Sequence, residues 1–153
     1  MRLVIFVLVS WILFGVILGV ATVPNEDNRP SLHVGDILVY YRLEKKFIPN
    51  DVIVFKMNDT RYVGRIVAVS GDTVNITDGE NVEVNGSILS EPYIYKSTPR
   101  FEGFVKYPVK LGTGEFFVLV DGRLGGEDSR YFGPVSSKDI LGLVVTVFRR
   151  NNI

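Results

Sequence analysis

The stretch VPNEDNRPSLHVGD at residues 23–36 gathers groups that could do chemistry: the carboxylates of Glu26, Asp27 and Asp36, the hydroxyl of Ser31, and His33, the one histidine of the chain. Two carboxylates that share a proton can turn a water against an amide, one serving as acid and the other as base. Asp27 is the candidate for one member of such a pair, with Glu26, Asp36, Asp121 and Asp128 as the acids available to partner it. Neither Glu26 nor Asp36 lies in the Asp-(Ser/Thr)-Gly turn that paired sites of this kind use. A serine nucleophile needs a base to take its proton, and a lysine serves only when burial leaves it neutral. Ser31 and Ser70 have no such lysine in view, because Lys45, Lys46 and Lys56 read as polar residues at strand ends. His33, in a turn beside charged neighbours and without a second histidine, reads as a solvated residue, not a ligand or a base. The absence of cysteine excludes disulfides, thiolate catalysis and thiolate metal sites. No metal and no cofactor is expected.

The elements that must position these groups are mainly β. Beyond Thr22 the chain is short runs of β-branched and aromatic residues cut by Gly, Asn, Asp and Pro, with no sustained helical period. Strands are expected at 37–41, 52–56, 62–69, 73–76, 116–120 and 143–148. Asn85-Gly86 turns a hairpin across 82–89, since both residues take positive φ at little cost. Residues 91–114 carry turn-formers among scattered aromatics and read as a long excursion or subdomain, not a core strand. The triplets at Asn58, Asn75 and Asn85 match N-x-(Ser/Thr), a pattern that arises by chance. Ahead of this domain, residues 3–21 contain no charge. As one helix they would reach roughly 28 Å, enough to cross a bilayer. The expectation is therefore a membrane anchor at 1–22 and one extracytoplasmic domain at 23–153, single-pass at the cell membrane. The 153 residues, 46% of them hydrophobic, suffice for one domain with a core. The 17 basic and 17 acidic residues cancel without a basic block, which argues against nucleic acid as a partner.

Four blocks, VPNEDNRPSLHVGDILV at 23–39, NDVIVF at 50–55, YVGRIVAVSGD at 62–72 and FFVLVDGRLGGEDSRYFG at 116–133, resemble the type I signal peptidase family in order and spacing. The resemblance implies a membrane-anchored β domain that cuts signal peptides with a Ser-Lys dyad. The family's serine, three residues before the Pro of a Pro-Thr-Leu element, falls on Asp27. Its lysine, in a Tyr-Val-Lys-Arg block, falls on Gly64. The serine that orients that lysine falls on Gly126, and the side-chain donor of the oxyanion hole falls on Asn25, whose amide can still donate. Both members of the dyad are missing, which leads to the expectation that the chain is not an enzyme.

The scaffold residues of the family remain. Arg65 and Asp121 fall where a structural ion pair is implied, as do Asp128 and Arg130. The peptide groove maps onto Pro24, Asn25, Asp27 and Asn28 on one wall and onto Arg61, Tyr62, Val63 and Gly64 on the other, where an extended peptide would gain main-chain hydrogen bonds. The particular replacements resemble a branch of the family found in streptococcal pilus clusters. That implies an accessory or chaperone role in pilus assembly, with pilin subunits, a class C sortase or both as partners; the alternative is an active or atypical signal peptidase that cleaves signal peptides, or a decoy regulator of one.

Overall fold

The structure is a computed structural model that describes residues 2–92, 94 and 96–149. The outer ends of the expected anchor and domain, residue 1 and residues 150–153, lie outside the described residues, as do Tyr93 and Tyr95 in the excursion. The chain opens with helix α1 (Arg2–Trp11) and a π-helical stretch (Ile12–Ile17). It continues through β1 (Leu18–Thr22), β2 (Ile37–Tyr41), β3 (Val52–Met57), β4 (Thr60–Ala68), β5 (Thr73–Ile76), β6 (Val82–Val84), β7 (Ser87–Ile88), β8 (Val109–Lys110) and β9 (Glu115–Leu119). Helix α2 (Ser129–Phe132), β10 (Val135–Ser136), a 3-10 turn (Ser137–Asp139) and β11 (Ile140–Phe148) complete it. The strands form a seven-stranded antiparallel sheet in the order β1-β2-β11-β3-β4-β9-β10 and a four-stranded one in the order β7-β6-β5-β8.

The apolar run at 3–21 is not one helix. Among the described residues no helix is long and apolar enough to cross a membrane. The helical part ends at Ile17, where the chain enters β1 and its backbone groups are taken up by β2. The last residues of the run add to the sheet instead, Leu18 opposite Tyr41 and Thr22 opposite Ile37. Gly19 is what allows the close approach, since a Cβ there would lie 2.1 Å from Tyr40 Cζ. Within the excursion, Val109–Lys110 pairs with β5 as a member of the small sheet. The Asn85-Gly86 hairpin forms with φ of 52° and 81°, the Asn85 carboxamide oxygen accepting from the Thr73 amide at 2.9 Å.

One face of β4 and β9 binds the two sheets together: Val67, Ala68, Phe117 and Leu119 are buried with Val74, Val82 and Leu111. The other face packs Ile66 and Val118 with Ile53, Phe55 and Val135. Fully burying each such side chain contributes about 1.5–3 kcal/mol, so these layers fix the relation of β4 to β9. The two strands pair only from Arg65 to Ala68, whereas β3 accompanies β4 back to Thr60. They therefore part company at Gly64, and a fork opens between them.

Candidate functional site

The turn that carries Asp27 wedges into this fork and is fastened on both sides. The Gly122 amide donates to the Asp27 carbonyl at 2.6 Å, and the Asn28 carboxamide donates to the Val63 carbonyl at 2.9 Å. The 121–128 loop closes so tightly over Asp27 that a side chain is excluded at Gly122 and at Gly126. A Cβ on Gly122 would meet the Asp27 carbonyl oxygen at 2.6 Å, and one on Gly126, whose φ is +82°, would meet Asp27 Cγ at 2.8 Å. The Asp27 carboxylate accepts from Asn25 Nδ2 at 2.7 Å. Its pKa stands above the ordinary aspartate value, first because burial disfavours the charge and then because Asp128 and Glu127 lie near; the Asn25 bond pulls the other way.

Glu127 is the residue that sequence reasoning missed. The Tyr62 hydroxyl donates to its carboxylate at 2.5 Å, and the Tyr62 ring stacks on Phe55 with centroids 5.6 Å apart. That bond, then burial and the Glu127 charge hold the Tyr62 phenol above its usual pKa, with a contribution from Asp27. Asp27, Glu127 and Tyr62 thus share one electrostatic neighbourhood, reached from three separate segments. The signal for Glu127 lay in GGEDSR, where it stands between Gly126 and Asp128.

Gly64 has no such freedom. It sits on β4 opposite Ile53, and a Cβ there would lie 2.7 Å from Val118 Cγ1 and 3.2 Å from the Leu119 carbonyl. Val118 belongs to the buried core, so this position is walled off by packing. Pro24 and Arg61 are exposed, while Val63 is buried.

Arg65 and Asp121 form a two-pronged pair, Nε to Oδ1 at 2.9 Å and Nη2 to Oδ2 at 2.8 Å, and Arg65 Nη1 also donates to the Asn50 carbonyl. Asp128 caps α2 by accepting from the Arg130 amide at 3.0 Å, and it binds the Arg130 guanidinium through Nε and Nη2. Arg130 reaches on to the carbonyls of Arg123 and Pro99. Arg123, which the sequence did not single out, is 0% exposed like Arg130 and is held by Glu91, Thr98 and the Val120 carbonyl. Buried charges survive only with this degree of pairing, and these two bolt the excursion to the loop over Asp27. His33 Nδ1 lies 3.9 Å from Asp36, away from these groups. Among the described residues no group of three or more His, Asp or Glu could hold a metal ion.

A β-sheet forked around an acidic turn, with a buried Asp-Ser-Arg element at its rim, is the scaffold of the site. The chain belongs to the signal peptidase family, peptidase S26, whose model matches residues 1–149. It is 31% identical over 139 residues to Signal peptidase I of Leptolyngbya laminosa, an overlap that takes in 82% of this chain and 66% of the relative. It is 33% identical over 131 residues to probable signal peptidase I-2 of a Synechocystis strain, covering 78% of this chain and 58% of that one. Signal peptidase I S of Bacillus subtilis is 29% identical over 158 residues, covering 95% and 85%. A crystal structure of a signal peptidase I from Enterococcus faecalis superposes with a TM-score of 0.56 at 28% identity, covering 66% of this chain and 98% of that one. The chain thus spans about 58–66% of the length of the first two relatives. These matches overturn the expectation of a non-enzyme, because relatives over most of the chain are named Signal peptidase I and point to a peptidase.

Proposed function

We propose that the protein is an atypical type I signal peptidase in which carboxylates do the work of the missing serine and lysine. The observation that carries this reading is the part-buried Asp27 in the fork where β4 loses its second neighbour, its pKa raised first by burial and then by the nearby charges of Asp128 and Glu127. Tyr62 donates to the Glu127 carboxylate, which holds that carboxylate in place to accept from a water, while the raised pKa of Asp27 suits it to act as the acid. A leader peptide lies extended along residues 61–64, opposite residues 24–28, and gains strand-type hydrogen bonds. Glu127 takes a proton from water as the water oxygen adds to the scissile carbonyl carbon, and Asp27 protonates the carbonyl oxygen. As the carbon–nitrogen bond breaks, the proton on Glu127 passes to the leaving amine and Asp27 recovers its own from the diol.

The preproteins assigned to this site are pilin precursors, handled beside a class C sortase at the outer face of the membrane. What supports that choice is the joint replacement at Asp27, Gly64 and Gly126, which resembles the pilus-cluster branch. The reading includes membrane association through the expected anchor at 1–22, supported by the uncharged run at 3–21 and by the exposed side chains of Leu3, Phe6 and Trp11 on α1.

The test is incubation of the full chain in detergent with a preprotein bearing a small-x-small leader. Cleavage after the motif is expected, rising as pH falls toward the raised Asp27 pKa, and lost in Asp27→Asn and in Glu127→Gln. A wild-type chain that cuts nothing, or an Asp27→Asn variant that cuts as well as wild type, overturns the proposal.

A further inference from the structure

Main-chain polar groups along a strand point alternately to its two sides. On β4 the direction is set by neighbours: Ile66 exchanges both its amide and its carbonyl with the 50–51 segment on the β3 side. Counting back, Tyr62 and Gly64 face β3, while Arg61, Val63 and Arg65 face the fork. Arg65 is paired with Leu119 of β9. An added peptide strand therefore has the fork-side groups of Arg61 and Val63 to bond. One of them is already engaged, because Asn28 Nδ2 donates to the Val63 carbonyl at 2.9 Å. Asn28 is 4% exposed and its backbone carbonyl accepts from the Leu32 amide, so the residue that presents the carboxamide is itself fixed.

We infer that Asn28 is a positioning residue that sets the register of the bound peptide. Its carboxamide imitates the next N–H of an incoming strand and so ends the strand addition at the Val63 amide. The peptide stops short of Gly64, and the bond beyond its last hydrogen bond is delivered beside Asp27. A carboxamide is suited to this because it donates to a carbonyl without bringing a charge into a fork that already holds Asp27 and Glu127. Without the donor, the Val63 carbonyl is released and an incoming strand can advance by one alternation, two residues, until it meets the β4–β9 pairing at Arg65.

This inference rests on the peptide-binding reading above, and the experiment separates the two. Leader peptides carrying a photocrosslinker at successive positions are bound to the full chain, and the adducts are mapped by mass spectrometry. The comparison is wild type against Asn28→Ala and Asn28→Asp, each first shown to be folded by circular dichroism. Asn28→Asp keeps the shape but cannot donate when ionised, so it guards against a mere cavity effect. A single register is expected in wild type. In both variants the adducts on Tyr62 and Val63 shift by two peptide positions or split between two registers, and any cleavage point moves with them. Unchanged adducts in folded variants overturn the role of Asn28 and leave the peptide site standing. No adducts in wild type overturn both.

Discussion

The wall beside Gly64 sets a quantitative expectation for any attempt to rebuild a dyad there. A Cβ on residue 64 meets Val118 Cγ1 at 2.7 Å and the Leu119 carbonyl at 3.2 Å. Val118 is buried among Ile53, Phe55, Ile66, Phe116 and Val135, so it has nowhere to retreat. Overpacking of this kind costs about 1–3 kcal/mol. Replacing glycine within a strand returns about 0.5–1 kcal/mol by restricting the unfolded chain. Gly64→Ala is thus expected to be less stable by about 0.5–2 kcal/mol, with a melting temperature lower by roughly 2–6 °C. Gly64→Lys adds an ammonium against an apolar wall and is expected to lose about 4 kcal/mol or more. Urea titration followed by circular dichroism measures both, and an unchanged m-value certifies that the same transition is compared. In a Val118→Ala background the offending methyl is gone, and Gly64→Ala is then expected to cost at least about 0.5 kcal/mol less. A Gly64→Lys variant as stable as wild type, or a cycle with no coupling, refutes the steric reasoning.

Two further outcomes follow from the site. Because the folded protein raises the Asp27 pKa, it binds that proton more tightly than the unfolded chain does. The resulting stability is complete below the ordinary aspartate pKa and is lost as pH rises through the folded value. Asp27→Asn removes this loss, so melting scans are expected to show the variant gaining on wild type as pH rises from acid to neutral, even though the carboxylate chemistry is gone. Arg65→Met strands the Asp121 carboxylate, whose side chain is only 4% exposed. A loss of about 3 kcal/mol is expected in urea, and the Arg65→Met/Asp121→Leu double variant is expected to recover most of it, since removing both charges is far cheaper than removing one.

Local chemistry and burial explain what was legible in the sequence. The β-branched runs predict the strands at 37–41 and 73–76 as they stand, because each alternates toward a buried face. Asn85-Gly86 predicts its hairpin because the turn demands positive φ at both positions. Within the run at 3–21 hydrophobicity did not separate the helical part from the strand at Leu18–Thr22; the small residue opposite Tyr40 does, and its role appears only once β2 is in place. At the site, Asp27, Gly64 and Gly126 were legible through motif spacing alone. Glu127 was not, since a lone acid in a glycine-rich loop reads as solvated until Tyr62 arrives from another strand. Arg123 was hidden for a related reason: nothing local marks a full burial that depends on Glu91 and Thr98 from far along the chain.

That remote support has an evolutionary consequence. Two desolvated guanidiniums draw their acceptors from both the 91–99 stretch and the 120–128 loop, so neither piece keeps its shape if the other is exchanged. Grafting a foreign insertion between β7 and β8 would loosen the ceiling above Asp27, and the lobe that looks most disposable can drift only in step with the rim it braces.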